Sequence, residues 1–341
     1  MRKGNRMIRL AAGFLCVAVG AFAAIDGTVV NKTTGKPLPG VSITLVKPGQ
    51  QGMRTLGTTT SDATGHFQFA NDEPGGGPQL LQVNYAGVNY NKLLTPNIPT
   101  SGVEVNVYEA TKSPDVARVA QRMLVFEANS SRIGVTETVV LENASSTTFS
   151  NTDTGGIRFY LPPASNGQVN VSAQGPQGMP LPRAAEKTSK ENVFKVDFPV
   201  KPGETQFQIS YVLPVGAPFT FRGELVNIKG MISGPLRLVA PPGVKLSGSD
   251  IQPLGVEPNT QATIYNVVRN GAFSVDIAGT GSLNGPSGNN ASGGSTSEDE
   301  SPPVSEGPPK IYQHLGWLLG FALAILGIGV IVLYRSSPVR S

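Results

Sequence analysis

The sequence predicts an all-β protein that is exported across a membrane and anchored there by one C-terminal transmembrane helix. Of its 341 residues, 41 are glycine and 28 are proline, and only 15% are charged. Short runs that alternate apolar and polar side chains lie between clusters of these turn-forming residues, which is typical of half-buried β-strands. A hydrophobic segment near each end of the chain predicts the export signal and the anchor.

The N-terminus has the three parts of a secretory signal peptide. A basic stretch comes first, then an apolar run, and the run closes with the small-residue pattern Ala21-Phe22-Ala23. We therefore predict a signal peptide over residues 1–23. It contains Cys16, the only cysteine of the chain, so the mature protein has no disulfide and no thiolate nucleophile.

Residues 25–110 contain several period-two runs separated by turn-forming clusters, which predicts the strands of a small β-sandwich. Asp62-Ala63-Thr64-Gly65 is one of the predicted turns. The apolar members of the runs are Val41, Ile43 and Leu45; Phe67 and Phe69; Leu81, Val83 and Tyr85; and Val103, Val105 and Val107.

Three segments of this region resemble the carboxypeptidase regulatory-like domain. They are Gly27-Thr28-Val29-Val30, Gly35-Lys36-Pro37-Leu38-Pro39-Gly40-Val41 and Thr58-Thr59-Thr60-Ser61-Asp62-Ala63-Thr64-Gly65-His66-Phe67-Gln68-Phe69. The resemblance implies a seven-stranded, transthyretin-like sandwich, a fold often grouped with carbohydrate-binding-like folds. Domains of this family are non-catalytic, so the resemblance implies no peptidase activity.

Residues 115–281 are predicted to form a second all-β region, an immunoglobulin-like or larger β-sandwich. Division into two smaller units near Gly216 is the alternative. Ser113-Pro114-Asp115 suits the cap and first turn of a short helix at the junction. Ten runs predict strands: Arg122–Glu127, Gly134–Glu142, Gly156–Leu161, Gln168–Ala173, Val193–Phe198, Thr205–Leu213, Phe219–Ile228, Pro235–Val239, Ala262–Val268 and Ala272–Ile277.

The last 60 residues predict a linker, a membrane span and a short tail. Residues 282–310 are rich in glycine, serine and proline and poor in large apolar residues, which favours a disordered linker. Residues 314–334 are long and apolar enough to cross a bilayer as a helix. Basic residues in the tail, 335–341, place the tail in the cytoplasm and the β-domains outside. The layout resembles membrane-anchored envelope proteins of bacteria, and we predict a single-pass protein of the plasma (inner) membrane.

Within the predicted span, small residues recur at every fourth position. They are Gly316, Gly320 and Ala324. Small residues on one ridge let two helices approach closely, so these three are candidates for helix packing and homodimer formation.

The charges and histidines exclude several functions. Four of the 27 basic residues leave with the signal peptide and two lie in the tail, so 21 remain outside the cytoplasm against 23 acidic residues. A region near neutrality gives no basis for nucleic-acid binding. The two histidines, His66 and His314, lie too far apart in the predicted layout to share a metal, and no nucleophile elbow is present. We predict no enzyme activity, no cofactor and no metal.

The predicted function is therefore protein–protein interaction or structural support in the cell envelope, with an unidentified envelope protein as the partner. The alternative is a carbohydrate or cell-wall binding module. The only tryptophan, Trp317, lies in the predicted span, so a sugar-stacking aromatic of the folded part has to be a tyrosine or a phenylalanine. Tyr90, between two asparagines, is the candidate glycan-binding residue.

Overall fold

A computed structural model describes residues 25–49, 52–69, 77–96, 99–176 and 178–283. The predicted signal peptide, most of the linker, the predicted span and tail, and the packing candidates Gly316, Gly320 and Ala324 lie outside these residues. The described part of the chain is all-β, with two single-turn 3-10 helices and no α-helix. Within it, no helix has the length and apolar character that spanning a membrane requires.

The first region contains two sheets that share one core. In one sheet β1 lies between the parallel strand β8 and the antiparallel strands β2 and β5, and the other has the order β4-β3-β6-β7. The apolar residues of the four predicted runs form the core between the sheets, with Tyr85 at its edge. The strands are β1 (Ile25–Asn31), β2 (Lys36–Pro37), β3 (Ser42–Gly49), β4 (Gly52–Thr60), β5 (His66–Phe69), β6 (Gln79–Tyr85), β7 (Val88–Leu94), β8 (Val103–Val107) and β9 (Ala110–Thr111).

Two glycines explain why the segments that carry the family resemblance fold as they do. Gly27 lies in β1 beneath β8, where a Cβ atom would lie 2.0 Å from the carbonyl oxygen of Val103. Gly65 has a left-handed backbone conformation, with φ at +77°, and ends the predicted turn after Asp62. The Asp62 Oδ1 atom accepts hydrogen bonds from the backbone N–H groups of Thr64 (2.8 Å) and His66 (3.0 Å). This side chain therefore fixes the turn, which confirms the prediction.

The second region is built around an eight-stranded sheet with the order β15-β14-β18-β11-β10-β20-β23-β22. Two three-stranded sheets, β13-β17-β16 and β19-β24-β21, pack with it around one apolar core. The strands are β10 (Arg118–Ala128), β11 (Ile133–Asn143), β12 (Thr148–Phe149), β13 (Ile157–Tyr160), β14 (Asn170–Gln174), β15 (Leu181–Arg183), β16 (Glu186–Lys187), β17 (Val193–Val196), β18 (Gly203–Leu213), β19 (Phe219–Glu224), β20 (Leu236–Ala240), β21 (Val244–Ser247), β22 (Ile251–Val256), β23 (Thr263–Val267) and β24 (Ala272–Gly279).

Every one of the ten predicted runs overlaps a strand of this region. The strands on the two sides of Gly216 meet in one sheet, because β10 pairs with β20 in parallel register. The predicted helical turn at Ser113 is a single 3-10 turn, Pro114–Val116, and a second one covers Pro163–Ser165. The Ser113 side chain donates to Asp115 and not to the backbone, so it does not cap the turn.

Candidate functional site

Tyr90 lies in β7 at the junction between the two cores, and its side chain is buried. Only 3% of the residue is exposed. Its hydroxyl donates to the carbonyl oxygen of Tyr108 (2.9 Å) and lies 2.9 Å from the Thr148 hydroxyl of the second region. Burial raises the pKa of Tyr90. A sugar that stacks on a ring needs an open face, which the buried ring of the glycan-binding candidate Tyr90 does not offer.

Lys201 of the second region covers the Tyr90 ring at the junction. Its Nζ atom lies 5.0 Å from the centre of the Tyr90 ring and donates to the carbonyl oxygen of Asn89. A cation over an aromatic face is attracted by the ring quadrupole. Burial, helped by the nearby Arg183 charge, lowers the pKa of Lys201 from 10.5 to about 8. The lysine therefore retains its charge at neutral pH but sits in a poorly solvated position.

Backbone pairing joins the two regions beside these side chains. Strands β9 and β12 pair in parallel over two residues each. The N–H of Thr148 donates to the carbonyl oxygen of Glu109 (2.8 Å), and the N–H of Ser150 donates to that of Thr111 (2.9 Å). Directional bonds of this kind fix the orientation of one core against the other.

Glu109 organises a second polar cluster on the first-region side of the junction. Its Oε1 atom accepts hydrogen bonds from Asn31 Nδ2 and from the Tyr85 hydroxyl, both at 2.6 Å. The hydrogen bond to Glu109 holds the phenolic proton and raises the pKa of Tyr85. The Glu109 N–H donates to Thr33 Oγ1 (2.9 Å), and the Thr33 hydroxyl donates to the carbonyl oxygen of Ser146 in the second region. Glu109, Asn31 and Tyr85 are therefore structural partners of one another.

The structure places the Asp26 carboxylate near the His66 imidazole. The exposed His66 side chain starts β5, and its Nε2 atom lies 3.8 Å from Asp26 Oδ2. The hydrogen bond from the Gly102 N–H lowers the pKa of Asp26. In the described ranges, no three His, Cys, Asp or Glu side chains lie close enough together to hold a metal ion.

The segments that carry the resemblance lie on β1, on β2 with its flanking turns, and between the end of β4 and β5. Residues 24–112 match the family model of the carboxypeptidase regulatory-like domain. This domain is a non-catalytic regulatory fold. The carboxypeptidase regulatory-like domain thus contributes β1 to β9 and stops just before the 3-10 turn, and the match does not extend into the second region. A search of curated proteins finds no match to the chain.

Exposed apolar side chains mark the edges of the sheets in both the carboxypeptidase regulatory-like domain and the second region. Strands β4 and β7 are the edges of one sheet, and β15 and β22 are the edges of the eight-stranded sheet. Five of the exposed large hydrophobic residues lie on these strands: Met53, Leu93, Leu181, Leu254 and Val256. None of the exposed large hydrophobic residues in the described part of the chain is aromatic. No strand was predicted from the sequence at any of these four edges, so the sequence could not place these residues on edges.

A buried ion pair lies between the sheets of the second region and was also missed. Arg122 on β10 is 3% exposed and Glu137 on β11 is 5% exposed, with Nε and Oε1 3.1 Å apart. Arg122 also donates to the carbonyl oxygens of Val226 and Arg158, each at 2.9 Å. Burial raises the pKa of Glu137, and Arg122 opposes that rise. One side chain therefore ties the large sheet to the loop after β19 and to β13.

Proposed function

We propose that this chain is a non-catalytic, membrane-anchored, extracytoplasmic protein that binds other proteins or gives structural support in the cell envelope. The observation that carries the proposal is the set of exposed aliphatic and methionine side chains on edge strands. An edge strand presents unpaired backbone N–H and C=O groups, and an extended segment of another protein adds to it as a further strand. Apolar side chains beside such an edge add buried area to the backbone bonds.

Strand β22 is the edge that best fits this use. Leu254 is 57% exposed and Val256 is 55% exposed. The strand has no charged residue, and its register with β23 shifts between Pro253 and Gly255. Because Pro253 has no N–H, the strand offers a partner fewer backbone hydrogen bonds than its six residues suggest. A partner segment of about three or four residues with apolar side chains fits this edge.

The proposed location is the plasma (inner) membrane, with the tail in the cytoplasm. Support comes from the sequence: a signal peptide over residues 1–23, a span over 314–334 and basic residues in 335–341. A partner would then be another protein of the envelope.

We propose a finer description of the two regions as well. Residues 25–110 are a transthyretin-like seven-stranded sandwich, which is supported by seven strands of four or more residues in two sheets around one core. Residues 115–281 are an immunoglobulin-like sandwich of the larger kind, which is supported by the eight-stranded sheet and its two smaller partners. The absence of enzyme activity is part of the same proposal, and the non-catalytic family of residues 24–112 supports it.

The alternative proposal is a carbohydrate or cell-wall binding module. It rests on the resemblance of the first region to carbohydrate-binding-like folds, since Tyr90 is buried. Sedimentation of the purified chain with insoluble cell-wall polysaccharide tests it, and co-sedimentation would favour it.

Site-specific crosslinking tests the main proposal. A photo-crosslinking amino acid replaces Leu254 in the full chain in its native membrane, and the adducts are identified by mass spectrometry. We expect one recurrent envelope protein. The matched control replaces Ile232, which is 63% exposed but lies outside the strands and bridges to Arg118 on the interior strand β10. Equal adduct yields at the two positions, or adducts with glycan alone, would overturn the proposal.

A further inference from the structure

A cavity of about 420 Å³ lies between the loop that follows β13 and the turn that joins β16 to β17. Small-molecule sites in proteins have volumes of roughly 300–1,000 Å³, so this cavity is large enough for a small ligand. Residues 161–163 and 165–167 line it on the loop side, and residues 187, 188 and 190–194 line it on the side of the turn. We call it the β13–β17 cavity. It contains no residue of β7 or β22, so it is separate from Tyr90 and from the edge proposed for protein binding.

Hydrogen bonds hold the two sides of the β13–β17 cavity together. The N–H of Leu161 donates to the carbonyl oxygen of Asn192 (2.9 Å), which joins the loop to the turn. Within the turn, the N–H of Thr188 donates to the carbonyl oxygen of Val193 (3.0 Å), and the Thr188 hydroxyl donates to the same oxygen (2.9 Å). The cavity is therefore preformed, and a ligand would lose little binding free energy to ordering it.

Two asparagines with a left-handed backbone conformation line the β13–β17 cavity. The φ angle of Asn166 is +54° and that of Asn192 is +58°. Among the described residues only four that are not glycine have a positive φ, so half of them are at this cavity. Such conformations are uncommon outside glycine and tend to cluster at functional sites. Neither side-chain amide has a hydrogen-bond partner in the described part of the chain, so each offers a donor and an acceptor to a ligand.

Apolar residues form another part of the lining. Leu161 and Val193 are buried, and Phe194 is half-buried. The Phe194 ring stacks on the ring of Phe159, with 5.8 Å between the ring centres and 24° between the planes. A ligand with an apolar face would bury that face against these residues.

The charged residues that line the β13–β17 cavity balance one another. They are Lys187, Lys190 and Glu191. Lys190 forms an ion pair with Glu224, whereas neither Lys187 nor Glu191 has an ion-pair partner within the described ranges. One cation and one carboxylate give the cavity no preference for a ligand of either charge. Both groups can form hydrogen bonds with the hydroxyl groups of a neutral ligand.

We propose that the β13–β17 cavity binds a neutral saccharide of one or two rings. A sugar ring carries hydroxyl groups that both donate and accept hydrogen bonds, and its C–H groups form an apolar face. The two amides, the balanced charges and the apolar lining match these features. The inference goes beyond the proposed function and does not rest on it, because the saccharide and the protein partner would bind at different residues.

Saturation-transfer NMR on the purified full chain, in a detergent without a sugar headgroup, tests the inference. The probes are cellobiose, maltose and N,N′-diacetylchitobiose, each measured alone. We expect at least one of them to bind to the wild type. The absence of binding by all three probes to the folded chain would overturn the inference.

A double variant tests whether the two amides hold the probe. Asn166→Gly with Asn192→Gly removes both amides and keeps the backbone conformation, since glycine adopts a positive φ readily. The Kd should rise at least about tenfold, because two neutral hydrogen-bonding groups are lost. The matched control Gln261→Gly removes an amide at another left-handed position, with φ at +58°, and should bind as the wild type does. An unchanged Kd in the double variant would contradict the inference.

Covalent blocking of the cavity compares binding before and after modification of one folded protein. Because Cys16 is the only cysteine of the chain, Glu191→Cys in a Cys16→Ala background has a single thiol at the cavity. This variant should still bind the probe, and modification with a bulky maleimide should abolish binding. The matched control is Ser247→Cys, which is exposed on β21 and outside the cavity, and its modification should change nothing. Binding that persists after the Glu191→Cys block would overturn the inference but leave the proposed function standing, since crosslinking at Leu254 does not involve the cavity.

Discussion

Loss of Arg122 should destabilise the second region more than loss of any exposed charge. Arg122→Ala leaves the Glu137 carboxylate, 5% exposed, without its cation. It also leaves the carbonyl oxygens of Val226 and Arg158 without their donors. Removal of one partner of a buried ion pair typically costs 3–5 kcal/mol, because the remaining charge stays buried. We expect the free energy of unfolding to fall by about 4 kcal/mol.

Thermal unfolding of the purified full chain, followed by far-ultraviolet circular dichroism, measures this loss. For a domain of this size, 1 kcal/mol shifts Tm by roughly 2–4 °C, so the expected shift is about 8–16 °C. Arg118→Ala is the matched control, since Arg118 pairs with Glu142 across the same two strands but both side chains are exposed. An exposed pair contributes at most about 1 kcal/mol. Equal shifts for the two variants would refute the reasoning.

The pH dependence gives an independent check on the same variant. Burial raises the pKa of Glu137 and Arg122 lowers it, so removal of Arg122 lets that pKa rise further. A carboxyl group whose pKa is higher in the folded state destabilises the fold above that pKa. The penalty is lost as pH falls toward the ordinary value of 4.5. The difference in unfolding free energy between Arg122→Ala and the wild type should therefore shrink between pH 7 and pH 4.5, and a constant difference would contradict the account.

Three further substitutions test the junction and the first core. Tyr90→Phe should lower the unfolding free energy by about 1–2 kcal/mol, because the buried Thr148 hydroxyl and the Tyr108 carbonyl lose a partner. Its control is Tyr108→Phe, which keeps that carbonyl. The pKa of Lys201 is lowered to about 8, so the folded state releases this proton at a lower pH than the unfolded state does. Between pH 8 and 10 the unfolding free energy of the wild type should therefore rise relative to that of Lys201→Met. Denaturant titrations measure the difference. Gly27→Ala should cost about 3 kcal/mol, since its Cβ would meet the Val103 carbonyl oxygen at 2.0 Å. Gly134→Ala, with 3.7 Å to the nearest atom, should cost under about 1 kcal/mol.

Period-two patterning found many of the strands that face a core, but it missed β21, where Val244 and Leu246 are buried. The alternation of Phe207, Ile209, Tyr211 and Leu213 is visible in the sequence, and all four are buried on β18. Strand β22 was missed because no core-facing alternation exists in it: an edge strand is held by one neighbour, and its side chains are mostly exposed. Strand β15 was missed for the same reason, with three exposed residues.

The burial of Tyr90 depends on long-range contacts that the sequence does not reveal. Tyr90 stands between Asn89 and Asn91, which suggests exposure, yet Lys201 and Thr148 cover it from more than 50 residues away. The residues next to Tyr90 in the sequence give no information about contacts with residues this distant. The Arg122–Glu137 pair was detectable, because Arg122 is in phase with Leu124 and Phe126, and Glu137 is in phase with Val135 and Val139. Two opposite charges in core phase on neighbouring strands predict a buried pair.

Crosslinking of the unmodified full chain in its native membrane tests the central claim most directly. Mass spectrometry identifies what co-purifies under denaturing conditions. The account predicts a protein, either a second copy or another envelope protein, at an abundance comparable to that of the chain itself. Recovery of wall or glycan material with no protein at comparable abundance would contradict it and would favour the carbohydrate-binding alternative.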